Sequence, residues 1–257
     1  MAVDYDFSNI RIRITLTEEM LGTASANPEL HSEFIASKAP DAPSMEEEVA
    51  ALGAEAVEKK GMTVFTRDED GDLCIWDYQV KGFFKDAAQM MKKVPGSASS
   101  QIKAFKKEVD GAIFVYPRKI KLNFPKDAPK VAGVCQRPLR ASTAQGERVA
   151  LASSETVPAG TTLDIVVKFL NKADMEACCE WLNYGELRGL GQWRNSGKGR
   201  FFWDQLDAHG QYKDAGNNEQ GKRAARIIAD RKAREAARAK REAAKKVDAI
   251  DMPETLE

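Results

Sequence analysis

The residues best equipped for chemistry lie between Arg188 and Trp203, in the stretch RGLGQWRNSGKGRFFW. Gly189, Gly191, Gly197 and Gly199 alternate there with Arg188, Arg194, Lys198 and Arg200, and Trp193 sits near the centre. Glycines that free backbone amides, set beside cations, are what a phosphate cradle needs. The two common cradles fail on spacing. GKGR lacks the Gly-x-x-x-x-Gly-Lys-Ser/Thr order, and in GLGQWR the third glycine of the dinucleotide fingerprint is replaced by Arg194. The segment also follows a helical pattern and precedes a strand pattern, the reverse of both folds. What remains is a strand of nucleic acid, or another part of the chain packed tightly on the glycines.

Further cations cluster in PRKIK (Arg118, Lys119, Lys121) and QRPLRAST (Arg137, Arg140, Ser142, Thr143), residue types that contact phosphate. Pro138 between the two arginines implies a loop held in one shape. Trp193 and Tyr116 are the best candidates for stacking on bases, with a core anchor as the competing role for Trp193. Catalytic groups are sparse. The only histidines are His31 and His209, so no Ser-His-Asp or Cys-His arrangement can be assembled. Asp68, Asp70 and Asp72 alternate as calcium ligands would, but the twelfth position of such a loop falls on Gln79. Cys74, Cys135, Cys178 and Cys179 match neither a zinc site nor a disulfide framework. No metal and no cofactor is expected.

The elements that must carry these groups can be read from periodicity. NIRIRITL alternates apolar and cationic residues, so Ile10, Ile12, Ile14 and Leu16 should face a core while Arg11 and Arg13 face outward. SMEEEVAALGAEAVEKKG reads as a helix capped by Ser44. MTVFTRDEDGDLCIWDY reads as a hairpin, and DYQVKGFFKDAAQMMKKV as an amphipathic helix. AIFVYPRKIKLNF is a strand pair or a bent strand, between loops at PGSASSQ and KDAPKVAG. RVALASSETVPAGTTLDIVVKF gives two strands about a Pro-Ala-Gly turn. KADMEACCEWLNYGEL is a helix, and RFFWDQL a last strand.

Without insertions the order is βαββαβ, so the fold class is α+β: a ferredoxin-like, RNA-recognition-motif-like core with large insertions. The core domain spans residues 1–212, with an insertion at about 22–61, and a basic alanine-rich helical tail spans 213–257. The formal charge is zero, from 39 cations and 39 anions. Yet the tail holds eleven cations and three acids between Lys222 and Lys246. Its apolar positions are mainly Ile227 and Ile228, too few for a coiled-coil stripe, which leaves a solvated helix or a polyanion-binding arm. No run of about 18 apolar residues and no signal-peptide pattern occurs, so a soluble cytoplasmic protein with no membrane partner is expected.

Several stretches, in order, resemble the RAMP superfamily, the RNA-recognition-motif-like backbone and processing subunits of CRISPR effector complexes. They are RIRITL with MLGTAS, DGDLCIWDYQVKGFFKDA with Lys81 and Gly82 opening a helix, SSETVPAGTTLDIVVKF, and LRGLGQWRNSGKGRF. They span roughly residues 10–206; the segment 22–60 and the tail have no counterpart. The whole chain also resembles proteins of phages and prophages, which would place it in the host bacterium's cytoplasm. The resemblance implies non-catalytic binding of single-stranded RNA or DNA by several copies side by side, as a homo-oligomer or filament. Arg11, Arg13, Lys81, Arg118, Lys119, Lys121, Arg137, Arg140, Ser142, Thr143, Trp193, Arg194, Lys198 and Arg200 then become candidate contacts, with Arg223 and Arg226 if the tail is an arm. It also implies alternatives. One is an endoribonuclease using Asp41 as a loop aspartate or His31 as general base; the other is a decoy acting on a host nucleoprotein complex.

Overall fold

The computed structural model describes residues 8–26, 62–126, 128, 132–143, 146–211, 222–230, 232–234, 236–237 and 240, with backbone only over 138–151. In chain order the strands are β1 (Ser8–Leu16), β2 (Met20–Leu21), β3 (Ala24–Ser25), β4 (Thr63–Val64), β5 (Thr66–Arg67) and β6 (Leu73–Trp76). Helices α1 (Asp77–Met91) and α2 (Phe105–Gly111) precede β7 (Ile113–Tyr116), β8 (Lys119–Lys121), β9 (Gly133–Thr143), β10 (Gly146–Val157) and β11 (Thr162–Phe169). Helix α3 (Ala173–Arg188) and β12 (Phe201–Leu206) follow, and 222–230 is helical. The expected helix at 44–61, His31 and Asp41 lie outside the described residues.

The central sheet has the order β12-β1-β11-β7, antiparallel at every step. With α1 between β1 and β7 and α3 between β11 and β12, this is the ferredoxin-like βαββαβ core. Alternation in β1 works as its sequence implies: Ile10, Ile12, Ile14 and Leu16 are buried, Arg11 is exposed and Arg13 half-buried. Both helices cover the face bearing those isoleucines. Phe84 of α1 lies 5.7 Å from Trp181 of α3, and Phe83 meets the Phe201 ring at 5.3 Å. Gly185 of α3 makes the second contact possible, because a Cβ there would overlap the Phe201 ring.

Between the core strands sit two smaller sheets. One orders β2-β10-β4-β3 with β9 outside β10; the other orders β5-β6-β8. The Asp-rich turn is the predicted hairpin, closed by the Asp68 carboxylate accepting the amides of Asp70 and Asp72.

Two local expectations change, and one element is added. Residues 105–111, which the sequence reading assigned to no element, form a helix; Phe105 and Val109, one helical turn apart, pack inward. β7 and β8 are neither a pair nor one bent strand. β7 joins the central sheet, β8 pairs with β6, and the chain crosses between sheets through a cis Tyr116-Pro117 peptide. Finally, Pro138 lies within β9, opposite Leu151, rather than in a loop. Among the described residues β9 pairs only with β10, and a proline is tolerated on such an edge because its missing N–H need not bond inward.

Under the core, α3 and the 3-10 turn Ala98–Gln101 are tied by one carboxylate. Glu180 accepts the Ala98 amide (2.7 Å), the Ser99 amide (3.0 Å) and the Ser99 hydroxyl (2.6 Å), and the buried Trp181 indole donates to that hydroxyl (2.9 Å). Burial pushes the Glu180 carboxyl upward, but these hydrogen bonds outweigh it and hold it below its ordinary value.

Asp174, in the first turn of α3, behaves in the opposite way. It is 3% exposed, and burial, followed by the charge of Glu108 on α2 and a hydrogen bond with it, raises its pKa to about 6. A carboxyl raised in the folded state favours folding while protonated, so this contribution fades as pH rises through about 6. Asp174→Asn should therefore melt several degrees above the parent at pH 8, with the gap closing below about pH 5. Melting curves across that range check it; an equal gap at both ends would refute the shared proton.

Candidate nucleic-acid interface

The face of the central sheet opposite the helices carries two exposed aromatics. Ile113 and Val115 of β7 point into the core, so Phe114 and Tyr116 point away, 37% and 47% exposed. Register extends them into two rows. Tyr116 stands opposite Val166, which stands opposite Arg11; Phe114 stands opposite Lys168, which stands opposite Asn9. The Lys168 ammonium lies 5.0 Å from the Tyr116 ring centre. From the sheet edge, Lys81 of α1 reaches to 5.4 Å from the Phe114 ring, donating also to the Asp110 carbonyl. Burial lowers the Lys81 pKa from its ordinary value.

The other flank of this face is covered. Phe202 and Leu206 of β12 share it with Arg11 and Thr15 but are only 4% and 3% exposed. The Arg223 guanidinium sits 4.9 Å from the Phe202 ring and pairs with Glu186 of α3 at 2.8 Å. Ala224 is fully buried, and Ile228 approaches Gly160 of the Pro-Ala-Gly turn. The tail thus does bury something: its first turns rest on the β12 side, leaving the β1, β11 and β7 side exposed. Arg226 is exposed on the same helix.

The glycine-rich segment folds against its own chain. Leu190 donates to Gly199 O (2.8 Å), Gly199 to Glu19 O (2.8 Å), and the Gln192 amide to Gly22 O (2.7 Å). Gly199 has φ +71°, and a Cβ there would overlap the Leu190 carbonyl; at Gly191 it would lie 2.7 Å from Leu21 O. The cations around this clasp are engaged. Arg188 and Arg194 both bond the Asp86 carboxylate of α1 at 2.8 Å, Lys198 pairs with Glu19, and Arg200 donates to Leu187 O. Trp193, 39% exposed, has the left-handed φ of 53°, which a bulky residue rarely adopts. Arg137 lies 4.9 Å and Lys198 5.9 Å from its ring centre. Arg137 itself is 7% exposed, bonded to Ser154 and Gln192.

The remaining candidates divide. Arg13 makes a two-pronged bond to Asp164, at 2.7 and 2.6 Å. Lys119 pairs with Glu69, and Lys121 with Asp72, and those hydrogen bonds raise both lysine pKa values. Arg140, Ser142 and Thr143 lie on β9. The structure therefore brings Arg11, Lys81 and Tyr116 to one face, and Arg137, Trp193 and Lys198 to one cluster. His209 sits in an exposed turn after β12. Among the described residues no group of three or more His, Cys, Asp and Glu is placed to hold a metal. Nor is any described helix long and apolar enough to cross a membrane.

No protein-family model and no curated protein matches the chain. Solved structures do. A chain from "Cryo-EM structure of the Type III-B Cmr-beta bound to cognate target RNA" aligns at 11% identity and a TM-score of 0.45, over 78% of this chain and 59% of that one. A chain of a "Type IV-B CRISPR Complex" aligns at 10% and 0.39, over 78% and 91%. At this level of similarity no residue's role is carried over, and the chain spans 59% of the first of these relatives.

Two surface residues of the open face, Phe114 and Lys168, escaped the sequence reading. The signal was present. Once Ile113 and Val115 are assigned to a core, Phe114 must accompany Tyr116 outward, and Lys168 must follow from the alternation of DIVVKF.

Proposed function

We propose that this chain is a non-catalytic binder of single-stranded nucleic acid, RNA or DNA, which lies along β7 and β11 on the open face of the central sheet. The observation that carries this reading is the Phe114 and Tyr116 pair: two exposed rings on one face of a four-stranded sheet, each with a lysine ammonium beside it. A sheet that presents aromatics in this way stacks bases, and the neighbouring cations meet the phosphates. Because Arg13, Lys119, Lys121, Arg194 and Lys198 are already ion-paired, they act mainly as braces, and Arg11 and Lys168 carry the phosphate contacts. Binding is expected to be sequence-tolerant. Several copies side by side on one strand complete the proposal, in keeping with the motif order of the sequence.

Fluorescence anisotropy with labelled single-stranded RNA, single-stranded DNA and duplex tests it at low salt. Saturable binding to a single strand, weaker for duplex, with the RNA recovered uncut, is the expected result. No binding, or duplex bound equally well, would overturn it. Size-exclusion elution of the loaded complex reports the number of copies.

A further inference from the structure

Resting on that reading, we infer that the binding track continues past the edge of the central sheet onto a second stacking platform, Trp76 and Tyr78, which receives a further base of the same strand. Trp76 ends β6, and Tyr78 lies in the first turn of α1. Their rings are nearly parallel, 14° apart with centres at 6.2 Å. Tyr78 is 56% exposed, more than Phe114, Tyr116 or Trp193. A single exposed aromatic needs no explanation; here four things coincide.

The rings are held parallel, and cations are already seated beside them: the Arg118 guanidinium lies 5.7 Å and the Lys119 ammonium 5.8 Å from the Trp76 ring centre. The Arg118 side chain is 73% exposed and, among the described residues, meets one carboxylate, Asp77 at 3.3 Å, so a guanidinium with five donors has several left for a phosphate. Third, the platform is joined to the first. Arg118 is two residues beyond Tyr116, and its carbonyl accepts the Asp77 amide at 2.9 Å, between Trp76 and Tyr78. Fourth, the register of β6 on β8 sets Trp76 directly opposite Lys119, which fixes the cation and the ring on one surface. Phe114, Tyr116, Arg118, Trp76 and Tyr78 therefore form a connected path of rings and charge around the sheet edge, long enough that only a longer oligonucleotide touches all of it.

The test uses the full chain and two labelled single-stranded oligonucleotides, of about 4 and about 12 nucleotides, within the site sizes such domains occupy. Tyr78→Ala should weaken the long oligonucleotide by roughly 5- to 150-fold and leave the short one unchanged, while Tyr78→Phe keeps parental affinity. Phe114→Ala should weaken both. If Tyr78→Ala binds the long oligonucleotide as tightly as the parent does, the second platform is wrong and the sheet face stands. If the parent binds neither oligonucleotide, the sheet reading fails and takes the platform with it.

Discussion

Replacing Phe114 and Tyr116 together by alanine should lower the affinity for a single-stranded oligonucleotide by up to roughly 1,000-fold, at about 2 kcal/mol for each stacked base. The two rings lie two residues apart on one strand, so the losses couple, and the double variant is the informative one. Nothing in the core depends on them. They point away from Ile113 and Val115, which are 0% and 4% exposed, so the melting temperature should stay close to the parent's. That separation gives the experiment its force: unchanged affinity in a protein of unchanged stability would remove the open face from consideration. Lys168→Ala, beside Tyr116, should act differently, flattening the dependence of log affinity on log salt by about 0.7 for a single strand.

Gly199→Ala should lower stability by roughly 3 kcal/mol, combining left-handed backbone cost with overpacking against Leu190. For a domain of this size, that is a fall of about 6–12 °C in melting temperature. The carbonyl it would strike belongs to main chain and cannot rotate aside, and Leu190 is itself held by its bond to Gly199. Gly197→Ala gives the comparison, because its φ is also positive at +82° but its surroundings are the flexible end of Arg200. It should cost only about 1 kcal/mol. Thermal melts of the two variants decide the matter: equal losses would mean that contact with Leu190 is unimportant and only φ counts.

What could be read from the chain beforehand was whatever a strict period reports. NIRIRITL, DYQVKGFFKDAAQMM and KADMEACCEWLNYGEL expose one apolar face each, so β1, α1 and α3 were legible, and their order implied the ferredoxin-like sheet. Pairing was less so. Whether two adjacent strands share a sheet depends on contacts made elsewhere, which is why β7 and β8 look like neighbours and are not, and why the strands flanking the Pro-Ala-Gly turn separate into different sheets. Pro138 misled for a related reason, since its acceptability turns on whether β9 is an edge. At the site, residue type identified Tyr116 and the cations, but not their partners. Asp86, Glu19, Glu69 and Asp164 lie far along the sequence from the cations they hold, so the difference between a cation facing solvent and one bracing the fold was invisible.

The clasp at Gly189 to Gly199 also bears on how the chain finds its fold. Its bonds join residues very distant in sequence: Gln192 to Gly22 across 170 positions, Lys198 to Glu19 across 179, Thr17 to Arg200 across 183. Closing loops of that length is entropically unfavourable until the intervening sheet is in place. The clasp is therefore expected to close after the rate-limiting step. Substitutions within it should leave the refolding rate almost untouched and appear as faster unfolding, making this glycine segment the latch that sets the lifetime of the native state.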